Sequence, residues 1–258
     1  MAIAPSPGLL RVHDLTTEGL ELAWDLGAGV VTGTWTPGAG AWVCSGSGLA
    51  DDLVLSLDAF MKANIAGAAS ATLDASVSLP RLVLNPGAGN TMAVNGAAVA
   101  STLDARWLGF SKANTGQAAS QTAPAAPLGV WFSPVPLGRD FGRQTSFSAF
   151  QTISVNGEVV SGLRGFNLSK RLGFTFVPEV NVFNSGQRLT NTIHDSDGFE
   201  RFIQYNADGQ RFQYVADKTT GASPTLYVLD NRNLSPFSQA HEGLPFWGFE
   251  FTALGYEA

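Results

Sequence analysis

The sequence predicts a mainly β (α+β) protein: antiparallel sandwich or barrel-like modules with hairpins, and one substantial α-helix. Three observations predict it. Short runs alternate apolar and polar residues along most of the chain, Asn-Gly and Asp-Gly pairs sit between such runs, and one segment switches to a helical period.

Taken in order, residues 9–45 alternate in runs such as LELAWDL and VVTGTW, with PGAG at 37–40 as a turn, and read as strands. The period then changes. In SGSGLADDLVLSLDAFMKANIAG, residues Leu49, Leu53, Leu57, Phe60 and Met61 fall on one stripe, predicting a helix over 49–65. Ser47 is the candidate N-cap, and Asp51 and Asp52 fall in the first turn, where the helix dipole favours carboxylates. Strand pattern returns over 71–96 with ATLDASVSL and RLVLN, followed by MAVNGAAVA, whose Asn95-Gly96 leads into a short helix, ASTLDARW.

That short helix ends in a cluster, Trp107, Leu108, Gly109 and Phe110. Gly109 is expected to adopt a conformation that stops the helix and turns the rings into a core. Residues 111–127, SKANTGQAASQTAPAAP, have no periodicity and read as a long loop free to reach a neighbouring subunit. Beyond it, Trp131 and Phe132 are flanked by a polar loop and prolines. This context makes them the candidate assembly anchors outside a core.

A boundary near residue 140 divides the chain into a β module with the helix and the LGF cluster (1–140) and an antiparallel β module (141–258). In the second, ISVNGEVVSG reads as a hairpin turning at Asn156-Gly157. FERFIQYNADGQRFQYVAD reads as another, with Phe199, Arg201, Ile203 and Tyr205 alternating with Glu200, Phe202 and Gln204, Asp208-Gly209 in the turn, and Phe212 and Tyr214 on the return strand. TLYVLD and FWGFEFTALGY complete the set. In the latter, Trp247, Phe249 and Phe251 share one face and Gly248 and Glu250 the other.

Composition bounds the function. Charged residues are 14% of the chain, against roughly 25% in typical soluble domains, and only four are lysines, the type most depleted from interfaces. Such an exterior reads as one built to be covered by other subunits. The net charge of −6, negative in both halves, excludes a basic nucleic-acid surface. Cys44 is the sole cysteine, so neither an intrachain disulfide nor a cysteine metal cluster is expected. MAIAPSPGLL lacks the features of a secretory leader, and no run approaches the roughly 20 apolar residues that span a bilayer. The chain is expected in the cytoplasm before assembly, with no membrane partner.

No catalytic, cofactor or metal site is expected. His13, His194 and His241 stand in polar contexts without a G-x-S-x-G elbow, and SGSG at 45–48 fits helix-cap chemistry. IHDSDGFE at 193–200 is the densest polar cluster, yet it lacks the residue order of a calcium loop, and Asp195 and Asp197 read as turn residues. Trp35, Trp42 and Trp131 are candidate sugar-stacking rings. They support an alternative reading, a carbohydrate-binding β-sandwich acting as a receptor-binding module.

Two regions resemble structural proteins of tailed bacteriophages. Residues 47–135 carry the L-x-x-x-L-x-x-x-L-x-x-F-M helix, LDASVSL, RLVLN, STLDARWLGFS and GVWFSPVP; residues 199–256 carry FERFIQYNADGQRFQYVAD, TLYVLD and FWGFEFTALGY, similar to the C-terminal strands of tail and distal-tail (baseplate) ring proteins. The resemblance implies a virion tail or baseplate subunit that forms a ring or adaptor, with copies of itself and other virion proteins as partners and no catalytic residues. A mildly acidic subunit also suits a bore through which DNA slides without sticking.

Overall fold

Among the described residues, ten short strands and one long helix build the first half of the chain. The computed structural model describes residues 7–46, 51–74, 80–135, 139–153, 159–183, 198–206, 209–215, 226–230, 238–239 and 243–255. Strands β1 (Gly8–Arg11), β2 (His13–Leu15), β3 (Leu20–Asp25), β4 (Val30–Trp35) and β5 (Gly40–Trp42) come first. β3 and β4 form a hairpin whose turn is tied by the Asp25 carboxylate, which accepts from the Gly27 and Gly29 N–H groups at 2.7 and 3.1 Å. β2 pairs with β5.

The helix α1 (Leu53–Asn64) is the one its period predicts, but it begins later than expected. Its N-cap is Asp52, whose side chain accepts from the Val54 N–H at 2.8 Å and from the Ser45 hydroxyl. Asp52 therefore precedes the first turn instead of lying in it; Ser47 and Leu49 lie outside the described residues. Leu53, Val54, Leu57 and Met61 are buried, Phe60 meets Trp24 edge to face at 6.4 Å, and the Trp35 indole donates to the Ser56 hydroxyl at 3.2 Å. These contacts seat the helix on the β3–β4 hairpin.

Next come β6 (Ser70–Asp74), β7 (Arg81–Asn85) and β8 (Thr91–Val94), a 3₁₀ turn at Ala105–Leu108, β9 (Gln121–Thr122) and β10 (Val130–Phe132). The sheets are β4-β3-β8 and β6-β7-β9. The segment expected as a reaching loop is instead tied to its own body. Thr115 donates to the Val94 carbonyl at 2.8 Å, Met92 and Ala118 exchange hydrogen bonds of 2.9 and 3.0 Å, and β9 pairs with β7. Residues 114–118 thus lie along the outer edge of β8, where they satisfy backbone groups that a bare edge leaves open.

The second half supplies β11 (Arg139–Ile153), β12 (Val159–Pro178), α2 (Glu179–Val182), α3 (Phe199–Asn206), β13 (Phe212–Val215), β14 (Leu226–Leu229), β15 (Ser238–Gln239) and β16 (Phe246–Gly255). β11 and β12 pair as a hairpin up to Ile153 opposite Val159, while Asn156-Gly157 lies outside the described residues. β16 alternates as its sequence predicts, burying Trp247, Phe249, Phe251 and Ala253.

Residues 199–206 correct the expected hairpin: they are helical, and only the return strand is β. Phe199 and Phe202, one turn apart, are both buried, and the Asn206 amide donates to the Phe202 carbonyl at 2.7 Å. Spacings of three and four residues decided the period, because a short apolar run satisfies both templates until a core selects one.

One eight-stranded antiparallel sheet, in the order β10-β1-β13-β14-β16-β12-β11 with β15 also on β16, spans the expected boundary at residue 140: β1 and β10 lie before it, and β13, β1's other partner, lies after it. This sheet divides two cores. Leu10, Val130, Phe132 and Val215 join the core under α1. Leu9, Trp131 and Tyr214, displaced by one residue along the same strands, join Tyr227 of β14 in an aromatic core with α2 and α3.

Candidate interaction surface

The expected anchors are core residues. Trp131 is 1% exposed and Phe132 7%. The Trp131 ring meets Phe174, Phe199 and Phe249 edge to face with centroids 5.1, 4.9 and 5.9 Å away, and its indole donates to the Asn181 carbonyl at 2.8 Å. Phe132 packs on the opposite face against Gly8, where a β-carbon would lie 2.4 Å from the ring. β10 carries an apolar side chain into each core, so neither ring is a surface anchor of the folded chain. Flanking prolines and a polar loop mimicked an exposed context.

The LGF cluster is built around a backbone constraint. Gly109 has φ +86°, and a β-carbon there would sit 2.1 Å from the Ala125 carbonyl oxygen. Its N–H closes the 3₁₀ turn on Ala105 and Arg106, and its carbonyl accepts from Ala125 at 3.1 Å. Leu108 and Phe110 are buried in the first core, while half-buried Trp107 stacks on His13 with centroids 4.7 Å apart and planes 25° from parallel.

His13 is buried, and desolvation, helped by the nearby Arg11 charge, lowers its pKa to about 3 against a backbone hydrogen bond to Leu128 and the Asp14 charge. It is a neutral packing group at neutral pH. Cys44 is buried too. Desolvation, with the Asp52 carboxylate beside it, pushes the thiol up and away from a reactive thiolate. His194, His241, Asp195 and Asp197 lie outside the described residues. Among the described residues, no group of three or more His, Cys, Asp or Glu side chains is placed to hold a metal ion, and no helix is long and apolar enough to cross a bilayer. Of the tryptophans considered for sugar stacking, Trp35 and Trp131 are buried; Trp42 is half-buried, its indole donating to the Gly38 carbonyl at 3.2 Å.

What the structure offers instead is open strand edge. β4 ends its sheet, and Val30 and Val31 on it are 59% and 54% exposed, with Leu26 of the adjoining turn also exposed. The run VVTGTW contains no charge and no proline. A second open edge belongs to the β11–β12 hairpin. The last β12–β16 pair in that direction is Ser169 with Leu254, and the hairpin runs on for nine further pairs, from Thr145 opposite Leu168 to Ile153 opposite Val159. At about 3.3 Å per residue this is a two-stranded ribbon of roughly 30 Å. Among the described strands, β11 pairs with β12 alone.

A third feature is a set of exposed apolar residues near the C-terminal end of β12. Phe176, in the register shift between Phe174 and Val177, has φ +57° and is exposed, as are Val180 and Leu244. The Glu179 N–H donates to the Pro245 carbonyl at 2.8 Å, bringing these segments together. VVTGTW was legible as a strand, while residues 144–152 were not read as one. The position of either at a sheet end was not legible.

In comparison with known proteins, no family model matches the chain, and no curated protein and no solved structure gives a significant match.

Proposed function

We propose that the chain is a structural, non-enzymatic subunit of a bacteriophage tail or baseplate, forming a ring or adaptor through contacts with copies of itself and other virion proteins. The observation that carries the assembly reading is the β11–β12 ribbon. Two strands alone are marginally stable in water; among the described strands no other pairs along the nine pairs of this ribbon that run past the sheet, so a surface laid along it would add to its stability. The sparse charge of the exterior works in the same direction, because it does little to oppose association. The placement in a phage tail or baseplate rests on the sequence resemblance.

The test is light scattering with negative-stain imaging on two proteins: the full chain, and a variant in which residues 146–167 are replaced by an Asn-Gly turn, which keeps Thr145 opposite Leu168. The full chain is expected as rings or higher oligomers and the shortened one as a folded monomer. A full chain that stays monomeric at every concentration overturns the proposal.

A further inference from the structure

We infer that copies of this chain join head to tail by strand addition: the open edge of β4 in one copy takes the open edge of β11 from the next, which continues the β4-β3-β8 sheet across the contact. The inference rests on the assembly reading above and specifies the contact.

An edge strand presents a row of backbone N–H and C=O groups that another extended strand, about 4.8 Å away, satisfies completely. Folded chains normally blunt such a row with lysine, proline, a bulge or a covering segment. This chain does so at one end of the sheet. Residues 114–118 lie along β8 and hydrogen-bond to Met92 and Val94. At the other end, among the described residues, no strand pairs with the outer edge of β4, which has no charge and no proline and whose valines face solvent. The asymmetry singles out β4 as an edge kept available.

The matching edge is on the same polypeptide. Residues 144–153 of β11, QTSFSAFQTI, also lack charge and proline, and contain Phe147, Phe150 and Ile153. The stretch beyond the β16 pairing is nine residues long, enough to run the whole of six-residue β4. In the folded chain β4 and β11 belong to different sheets and do not pair. Each copy therefore carries one of each edge, and joining unlike edges repeats from copy to copy, closing into a ring or extending as a filament. Pairing of β4 with β4 would stop at a dimer and leave β11 bare.

The experiment uses three full-length proteins: the natural chain, the Val30→Lys/Val31→Lys variant, and the ribbon-shortened variant. Ser146→Lys/Ser148→Lys substitutes for the last if shortening disturbs folding, and circular dichroism with thermal melting checks each fold. Masses are read by light scattering. Each variant alone is expected as a monomer, and their mixture as one-to-one dimers with nothing larger, because only one intact β4 and one intact β11 remain. Three results overturn the inference and leave the assembly reading standing: dimers of the ribbon variant alone, natural-size oligomers of the lysine variant, or a mixture that stays monomeric while the natural chain assembles. A natural chain that never assembles overturns both.

Discussion

Trp131 and Phe132 are consecutive on β10 yet belong to different hydrophobic cores, Trp131 among Phe174, Phe199 and Phe249 and Phe132 against Gly8 on the opposite face. The sheet that carries them is the wall between the two cores, so a single strand reports on both. Trp131→Ala and Phe132→Ala are each expected to lose about 3 to 5 kcal/mol of stability, measured by urea unfolding. A double alanine chain with an unmoved midpoint would show that neither ring fills a core.

His13 makes stability depend on pH. Its folded pKa of about 3 lies below the ordinary 6.5, so the unfolded chain takes the proton first and stability falls as pH drops from 6.5 toward 3. The slope in that window is about 1.4 kcal/mol per pH unit, which amounts to about 2 kcal/mol between pH 7 and 5. His13→Phe keeps a ring against Trp107 and removes the titration. Urea midpoints that fall between pH 7 and 5 as steeply in the variant as in the natural chain would assign the loss to other groups.

Gly109→Val forces a β-branched residue to φ +86° and drives its β-carbon into the Ala125 carbonyl. The expected cost is at least about 3 kcal/mol, with a clear drop in melting temperature. Gly116→Ala is the control, since a β-carbon there meets nothing within 4 Å. Equal melting of the two variants would mean that the LGF cluster has no structural role.

Much of the fold was legible because its elements are periodic. The helical stripe Leu53, Leu57, Phe60, Met61 and the alternation of Trp247, Phe249 and Phe251 each satisfy one template and not the other, and both elements form where their pattern lies. Local turn chemistry was legible only in part. Ser47 was the cap candidate and Asp52 was expected inside the first turn, but Asp52 is the cap, with Ser45 and Val54 both donating to its carboxylate. The candidate interaction surface was legible as composition and not as location, since VVTGTW reads the same in the middle of a sheet as at its end.

By itself, then, the sequence determined the β-rich class, the main helix and the faces of the long C-terminal strand, because periodicity is a local property of the chain. The tertiary structure decided that 199–206 coil into a helix around Phe199 and Phe202, that Trp131 and Phe132 face inward, and that 114–118 cover β8 while β4 ends its sheet among the described strands. Each of those outcomes depends on which distant segment supplies the neighbouring surface. A residue's own neighbours in sequence carry no record of that pairing until the chain has folded.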